Sequence, residues 1–158
     1  MTPEVTVRAA QNEDAPAVID LIARCFAEYP GCVLEVDLEE ASLRHLTGRF
    51  DRFWVATTPC SRVVGTIALA ESKGQRIELK KLYVDRHLRG HGIARTLIEL
   101  VETEARQRNA TLVELWTDTR FETAHRVYQK LGYRQTGAER ALEDLSDTRE
   151  FYFVKDPL

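Results

Sequence analysis

The chain has 158 residues, the size of one compact domain able to bury a core of its own. Hydrophobic residues make up 44% and charged residues 30%, and 22 basic against 25 acidic side chains give a formal charge of −3, which offers no general reason to expect nucleic-acid binding. No apolar run reaches the length of a membrane span and the opening MTPEVTVRAA lacks a signal-peptide core, so a cytoplasmic protein without membrane attachment is expected.

Val5 and Val7 alternate as a short first strand. Asn12, Glu13 and Asp14 give a helix start, and Val18, Ile19, Leu21, Ile22 and Phe26 supply an apolar face until Tyr29-Pro30-Gly31 breaks it. Residues 32–40 are irregular and acidic, and Leu43, Leu46 and Phe50 predict a second, shorter helix. Residues 53–56 and 63–69 read as strands joined by a turn around Pro59 and Ser61; residues 72–75 turn into a further strand over 76–84. A long helix is predicted over 92–109 and a strand over 112–116. Thr119-x-x-Glu122 has the form of a capping box for the next helix, which Gly132 ends, and residues 135–137 and 149–155 close the chain as strands. Without repeats or linkers, residues 1–158 are expected to form one α/β domain, a mixed sheet with helices on both faces. Cys25, Cys32 and Cys60 are odd in number and form no Cys-x-x-Cys pair, so neither a metal site nor a disulfide framework is indicated.

Residues 78–94, ELKKLYVDRHLRGHGIA, carry the most chemistry. Leu79, Leu82, Tyr83 and Val84 read as strand and residues 85–90 as a tight loop. Gly92 then opens a helix whose apolar residues recur at Ile93, Leu97, Leu100, Val101 and Ala105. A helix start presents backbone N–H groups without internal partners at the positive end of the macrodipole, an arrangement that holds anions and especially phosphates. A Cβ at Gly90 or Gly92 would hold a pyrophosphate away from those amides, and Arg89 and His91 can add side-chain donors. Gly-x-Gly by itself recurs in nucleotide sites of other folds. The dinucleotide fingerprint fails at Arg95, where a third glycine should stand, and no Gly-Lys-Ser/Thr follows. A strand–helix turn with glycines needed only for geometry is the plain alternative.

The string His87-Leu88-Arg89-Gly90-His91-Gly92 resembles the acyl-CoA signature of the GCN5-related N-acetyltransferases (GNAT), Gln/Arg-x-x-Gly-x-Gly/Ala, and Leu82-Tyr83-Val84-Asp85 with Ile93-Ala94 extends the match. His87 departs from it, standing where the family usually has Gln or Arg. The resemblance covers nearly the whole chain, and is strongest over residues 78–132. It implies the GNAT fold, a mixed, mostly antiparallel sheet of six to seven strands. It also implies acetyl-CoA (coenzyme A) as cofactor, bound by Leu82, Tyr83, Val84, His87, Arg89, Gly90, His91, Gly92, Ile93, Ala94 and Arg95. In that fold the strands ending at Val84 and Trp116 splay apart and the pantetheine arm enters the gap.

Acyl transfer from a thioester to an amine requires deprotonation of the amine, stabilisation of an oxyanion and reprotonation of the thiolate. Tyr128 lies in Ala124-x-x-x-Tyr128-x-x-x-Gly132-Tyr133, which matches the family stretch whose Tyr protonates the coenzyme A sulfur. Its helical stripe with Phe121, Ala124 and Leu131 equally suits packing. The family often places Asn where Phe121 stands, so that cofactor contact is absent or supplied otherwise. Glu78 matches a position where some members carry the base. Strand alternation puts Glu78, Lys80, Leu82 and Val84 on one face, where Glu78 either points into the cleft or pairs with Lys80. The resemblance assigns the oxyanion to backbone N–H groups around Leu82 and Val84. His125 and Asp118 read as solvated surface groups.

Glu28, Tyr29, Glu35, Asp37, Glu39 and Glu40 cluster after the first helix, which in GNAT-like folds borders the acceptor pocket. Tyr29, Glu35 and Asp37 are the candidate acceptor contacts for a cationic amine, with a solvated acidic loop as the alternative. The resemblance therefore implies an acetyl-CoA-dependent N-acetyltransferase acting on the primary amine of a small molecule or peptide, with a homodimer a mild expectation. A non-catalytic acyl-CoA sensor and an ATP- or NAD-binding protein are the competing classes.

Overall fold

The computed structural model describes residues 3–37 and 39–158. Its strands are β1 (Thr6–Ala9), β2 (Arg52–Thr57), β3 (Val63–Ser72), β4 (Arg76–Val84), β5 (Leu112–Asp118), β6 (Arg134–Ala141) and β7 (Arg149–Lys155). Its helices are α1 (Ala15–Phe26), the single turn α2 (Leu46–Arg49), α3 (Ile93–Gln107) and α4 (Glu122–Lys130). One mixed sheet takes all seven strands in the order β1-β2-β3-β4-β5-β7-β6, in an α/β architecture. Neighbours are antiparallel except β4 and β5, which run parallel.

The apolar residues divide between the two faces of the sheet. Val18, Leu21, Ile22 and Cys25 of α1 pack with Leu43 and Leu46 onto Phe53, Val55 and Ala68. On the opposite face Leu97, Ile98 and Val101 of α3, joined by Tyr128 of α4, cover Ile67, Leu69, Ile77, Leu79, Leu115 and Phe153. Gly65 lets α3 lie close on β3: a Cβ there would stand 3.2 Å from Leu97 Cδ1 and 3.3 Å from Ile93 Cγ2. The start of α3 is thereby seated at the end of β4.

Two features of β4 create the cleft. Its register with β5 runs only through Arg76↔Leu112, Ile77↔Val113 and Glu78↔Glu114, so residues 79–84 and 115–118 continue without pairing to each other. Against β3, the register shifts between Thr66 and Ala68, and Lys81 takes φ 56° while its carbonyl accepts a 2.8 Å hydrogen bond from the Thr66 hydroxyl. This is a β-bulge, one extra residue that bends the strand and increases its twist. It corrects simple alternation: Leu82 and Val84 pack with the α3 face, whereas Glu78 and Lys80 pair with Ala70 and Ala68 and face the other way.

Local differences from the sequence reading have visible causes. The second helix is only α2 plus a 3-10 turn over Ala41–Arg44. Thr119 does not cap α4; Phe121 occupies the N-cap, and the preceding turn is held by Asp118, whose carboxylate accepts from the Arg120 amide at 2.9 Å. His125 and Asp118 are buried rather than solvated, with the His125 ring stacked on Phe153 and its Nε2–H donating to the Asp118 carbonyl at 2.9 Å. Among the described residues no helix is long and apolar enough to cross a membrane.

Candidate active site

The cradle predicted around Gly90 and Gly92 is built from backbone. Asp85, almost fully buried, accepts from Arg24 at 2.7 Å, Arg62 at 3.1 Å and the His87 amide at 2.9 Å, which fixes the start of the loop. Burial alone would raise this carboxyl, but the hydrogen bonds from Arg24 and His87 hold it below the usual carboxylate range. Gly90 (φ 86°) and Gly92 (φ 82°) lie in the left-handed region, and an added Cβ at either meets nothing within 4 Å. Open space therefore lies directly over the main chain. The first helical hydrogen bond of α3 runs from the Thr96 amide to the Gly92 carbonyl, no side chain caps the helix, and the amides of residues 90–95 have no acceptor among the described residues. Six free N–H groups at a helix start, with no side chain over them, suit a diphosphate.

A cavity of about 410 Å³ runs from this turn along the open edge of β4 to α4. It is lined by Leu82, Tyr83, Val84, Arg89, Gly90, Gly92, Ile93, Ala94 and Arg95 among the predicted cofactor residues, and by Tyr29, Phe121, Ala124 and Val127. Its walls are mainly apolar, as an elongated pantetheine-like chain requires. Two predicted contacts fall outside it: the exposed side chains of His87 and His91 do not line the cavity. Arg89 lines it but is not a free donor. Its Nη1 and Nη2 donate to Glu28 at 2.6 and 2.8 Å and its Nε to the Val84 carbonyl at 3.1 Å. The cradle is thus a main-chain device braced by Arg89.

A second, polar cavity of about 370 Å³ opens on the α1 face of the sheet. Glu78, Lys80, Lys81, Trp116, Arg140 and Glu150 line it, closed over by Cys32, Val33, Glu39 and Glu40 on one side and Asp144, Ser146 and Thr148 on the other. The two sides are tied together: Val33 and Ser146 exchange hydrogen bonds of 2.7 and 3.0 Å, and Glu39 accepts from the Leu145 amide at 2.8 Å. Several carboxylates here are already matched, Glu78 with Lys80 at 3.6 Å, Glu40 with Lys81, Glu150 with Arg140 at 2.7 Å and Asp118 with Arg120 at 2.8 Å. Glu39 and Asp144 form no salt bridge among the described residues. Glu35 and Asp37, expected as acceptor contacts, line neither cavity; Asp37 is exposed and pairs with Arg44 at 3.0 Å. Tyr29 lies in the first cavity instead.

Leu82, Tyr83, Phe121 and Ala124 line both cavities and mark where they meet. Tyr128 stands one helical turn beyond Ala124. It is 4% exposed, packs against Tyr133 and Phe153 on the α3 face, and nevertheless lines the polar cavity, reached through the gap between β4 and β5. Its hydroxyl has no hydrogen-bond partner among the described residues, whereas the Tyr133 and Tyr152 hydroxyls donate to Glu102 and Glu114. Burial pushes the Tyr128 phenol well above its ordinary range, so it remains a proton donor. Sequence reasoning missed Trp116, Arg140, Glu150 and Thr148, whose surroundings form only when β5, β6 and β7 pair.

The family profile described as Acetyltransferase (GNAT) family matches residues 15–133. An N-acetylaspartate synthetase of Danio rerio is 33% identical over 110 residues, covering 69% of this chain and 39% of that protein. The human N-acetyltransferase 8 is 31% identical over 127 residues, covering 77% and 56%. The chain therefore spans less than two thirds of the length of either relative. A GNAT-family acetyltransferase from Staphylococcus aureus Mu50 superposes with a TM-score of 0.84 at 18% identity, covering 98% of this chain and all of that one, a likeness of fold.

Proposed function

The chain belongs to the GNAT acetyltransferase family, and from that premise we propose that it is an acyltransferase that uses acetyl-CoA to acetylate the primary amine of a small molecule or peptide by direct attack in a ternary complex. The single observation that carries this reading is the run of unpartnered amides at residues 90–95, opening on an apolar cavity that meets a polar one beside an unpartnered phenol. Acetyl-CoA supplies the activated acyl group; the chain supplies position and proton transfer. The amides of residues 90–95 hold the diphosphate, and the edge of β4 from Leu82 to Val84, freed from β5, holds the pantetheine and the developing oxyanion. Glu78 takes the proton from the incoming amine, directly or through water, and Lys80 tethers its carboxylate meanwhile. Tyr128 gives a proton to the departing sulfur, because a phenol kept neutral by burial retains that proton throughout the neutral range. A cationic amine is drawn by Glu39 and Asp144, the cavity carboxylates without a salt-bridge partner among the described residues.

The test is acetyl-CoA-dependent thiol release across a panel of amino acids, polyamines, amino sugars and peptides, with calorimetric binding of coenzyme A alongside. Amine-dependent release is the expected result. Coenzyme A binding without release on any amine would leave a sensor module, and no binding would end the reading.

A further inference from the structure

Four aromatic rings line one side of the place where the two cavities meet. Phe121, at the N-cap of α4, lies 5.0 Å from Tyr29, 6.1 Å from Phe26 and 6.3 Å from Tyr83 between ring centroids, and Phe26 and Tyr83 are 5.8 Å apart. Phe26 and Tyr29 belong to the end of α1 and the residues after it, Tyr83 to β4 beyond the bulge, and Phe121 to the turn after β5. The cluster therefore bridges the gap between the splayed strands from three separate elements. Phe121 and Tyr83 each line both cavities; Tyr29 lines only the apolar one and Phe26 only the polar one. The rings form one wall of the junction between them.

We propose that Phe121, backed by Tyr29, Phe26 and Tyr83, is the residue that limits the acyl group to a short chain. The inference rests on the acyl-CoA reading of the apolar cavity. A thioester delivered along that cavity ends beside Leu82, Tyr83, Phe121 and Ala124, the residues common to both cavities. Beyond the carbonyl carbon, the acyl chain must extend toward the packed rings. A methyl group fits in front of them, whereas each further methylene must displace an aromatic ring held by three others. Packed rings resist such displacement, because the cluster loses contacts when one member moves.

The experiment is calorimetric titration of the wild-type chain, Phe121→Leu and Phe121→Ala with coenzyme A, acetyl-CoA, butyryl-CoA and hexanoyl-CoA, with thermal melts to establish that each variant is folded. Wild type should bind acetyl-CoA at least about tenfold more tightly than hexanoyl-CoA, a discrimination in the range expected for excluded methylenes. Phe121→Ala should abolish that preference and Phe121→Leu should reduce it, while any change in affinity for coenzyme A itself, whose cavity Phe121 also lines, should be smaller than the change in the preference. A preference unchanged in folded Phe121→Ala, or no preference in wild type, would overturn the proposal. Failure of coenzyme A to bind wild type would instead remove the acyl-CoA reading on which it rests.

Discussion

Arg89 and Glu28 meet through two parallel hydrogen bonds, 2.6 and 2.8 Å, that tie the loop before α3 to the residues just after α1. Their side chains are 30% and 18% exposed, and the Arg89 Nε also satisfies the Val84 carbonyl. Such a planar, bidentate contact is stronger and more directional than an exposed ion pair. Arg89→Ala should cost about 1–3 kcal/mol of stability, because it leaves a half-buried carboxylate and a strand carbonyl unmatched. A double-mutant cycle with Glu28→Gln should return a coupling of about 1 kcal/mol or more. Coupling near zero would show that the pair is an ordinary surface contact.

Gly92 tests the cradle itself. Alanine at φ 82° is strained by about 1–2 kcal/mol, and its Cβ would occupy the open space above the amides. Gly92→Ala should therefore raise the Kd for coenzyme A by about tenfold or more, equivalent to losing one charge-assisted hydrogen bond. The Kd for dephosphorylated pantetheine should move far less, since it has no diphosphate to place. Equal losses for both ligands would mean that the turn is not where the phosphates lie.

The cradle was legible in the sequence because its signals are local: alternating glycines, a strand before them and helical spacing after them, all within residues 78–105. The splayed sheet was legible only through the family resemblance. Three features escaped for a shared physical reason, namely that their causes are distant in the chain. Arg89 reads as a free phosphate donor until Glu28, 61 residues away, is seen to hold it. Lys81 gives no hint of a left-handed backbone, so strand alternation carried Leu82 and Val84 to the wrong face. The acidic run after α1 is divided by tertiary contacts, which bring Glu39 and Glu40 to the edge of the polar cavity and leave Asp37 outside with Arg44.

Tyr128 and Glu78 should separate by kinetics. Tyr128→Phe keeps the ring and its packing but removes the proton, so kcat should fall by about a hundredfold with little change in acetyl-CoA affinity. Glu78→Gln should lower kcat similarly while leaving a pre-deprotonated, weakly basic amine less affected than an alkylamine. Steady-state kinetics with amines of graded basicity make the comparison. Unchanged turnover in Tyr128→Phe would return that residue to a packing role.

Asp144 lines the polar cavity, accepts from the Thr148 amide at 2.9 Å and has no salt-bridge partner among the described residues. Asp144→Asn retains the shape and removes the charge, so KM for a cationic amine should rise by about twofold to fivefold, the scale of one partly exposed ion pair. Reversing Glu35 and Asp37, which lie outside both cavities, should leave that KM unchanged. The opposite pattern would place the amine over the loop after α1 instead.

Alkaline pH gives a further test that needs no substrate. All five tyrosines are shifted upward: Tyr29, Tyr83, Tyr128, Tyr133 and Tyr152 each have burial as the leading cause, and Tyr152, hydrogen-bonded to Glu114, reaches about 12. An unfolded tyrosine ionises near about 10. The neutral phenol is thus favoured in the fold, and the stability this contributes is fully present below that pH and is lost as pH rises toward the folded values. Denaturant melts should show stability falling between about pH 9.5 and about pH 11.5, with a shallower fall in Tyr128→Phe. Absorbance of tyrosinate in the native protein should stay below half its unfolded value at about pH 10 and appear together with unfolding. Full ionisation near pH 10 in a chain that remains folded would mean that these hydroxyls, Tyr128 among them, stand in water, and the proton reserve assigned to the cleft would be gone.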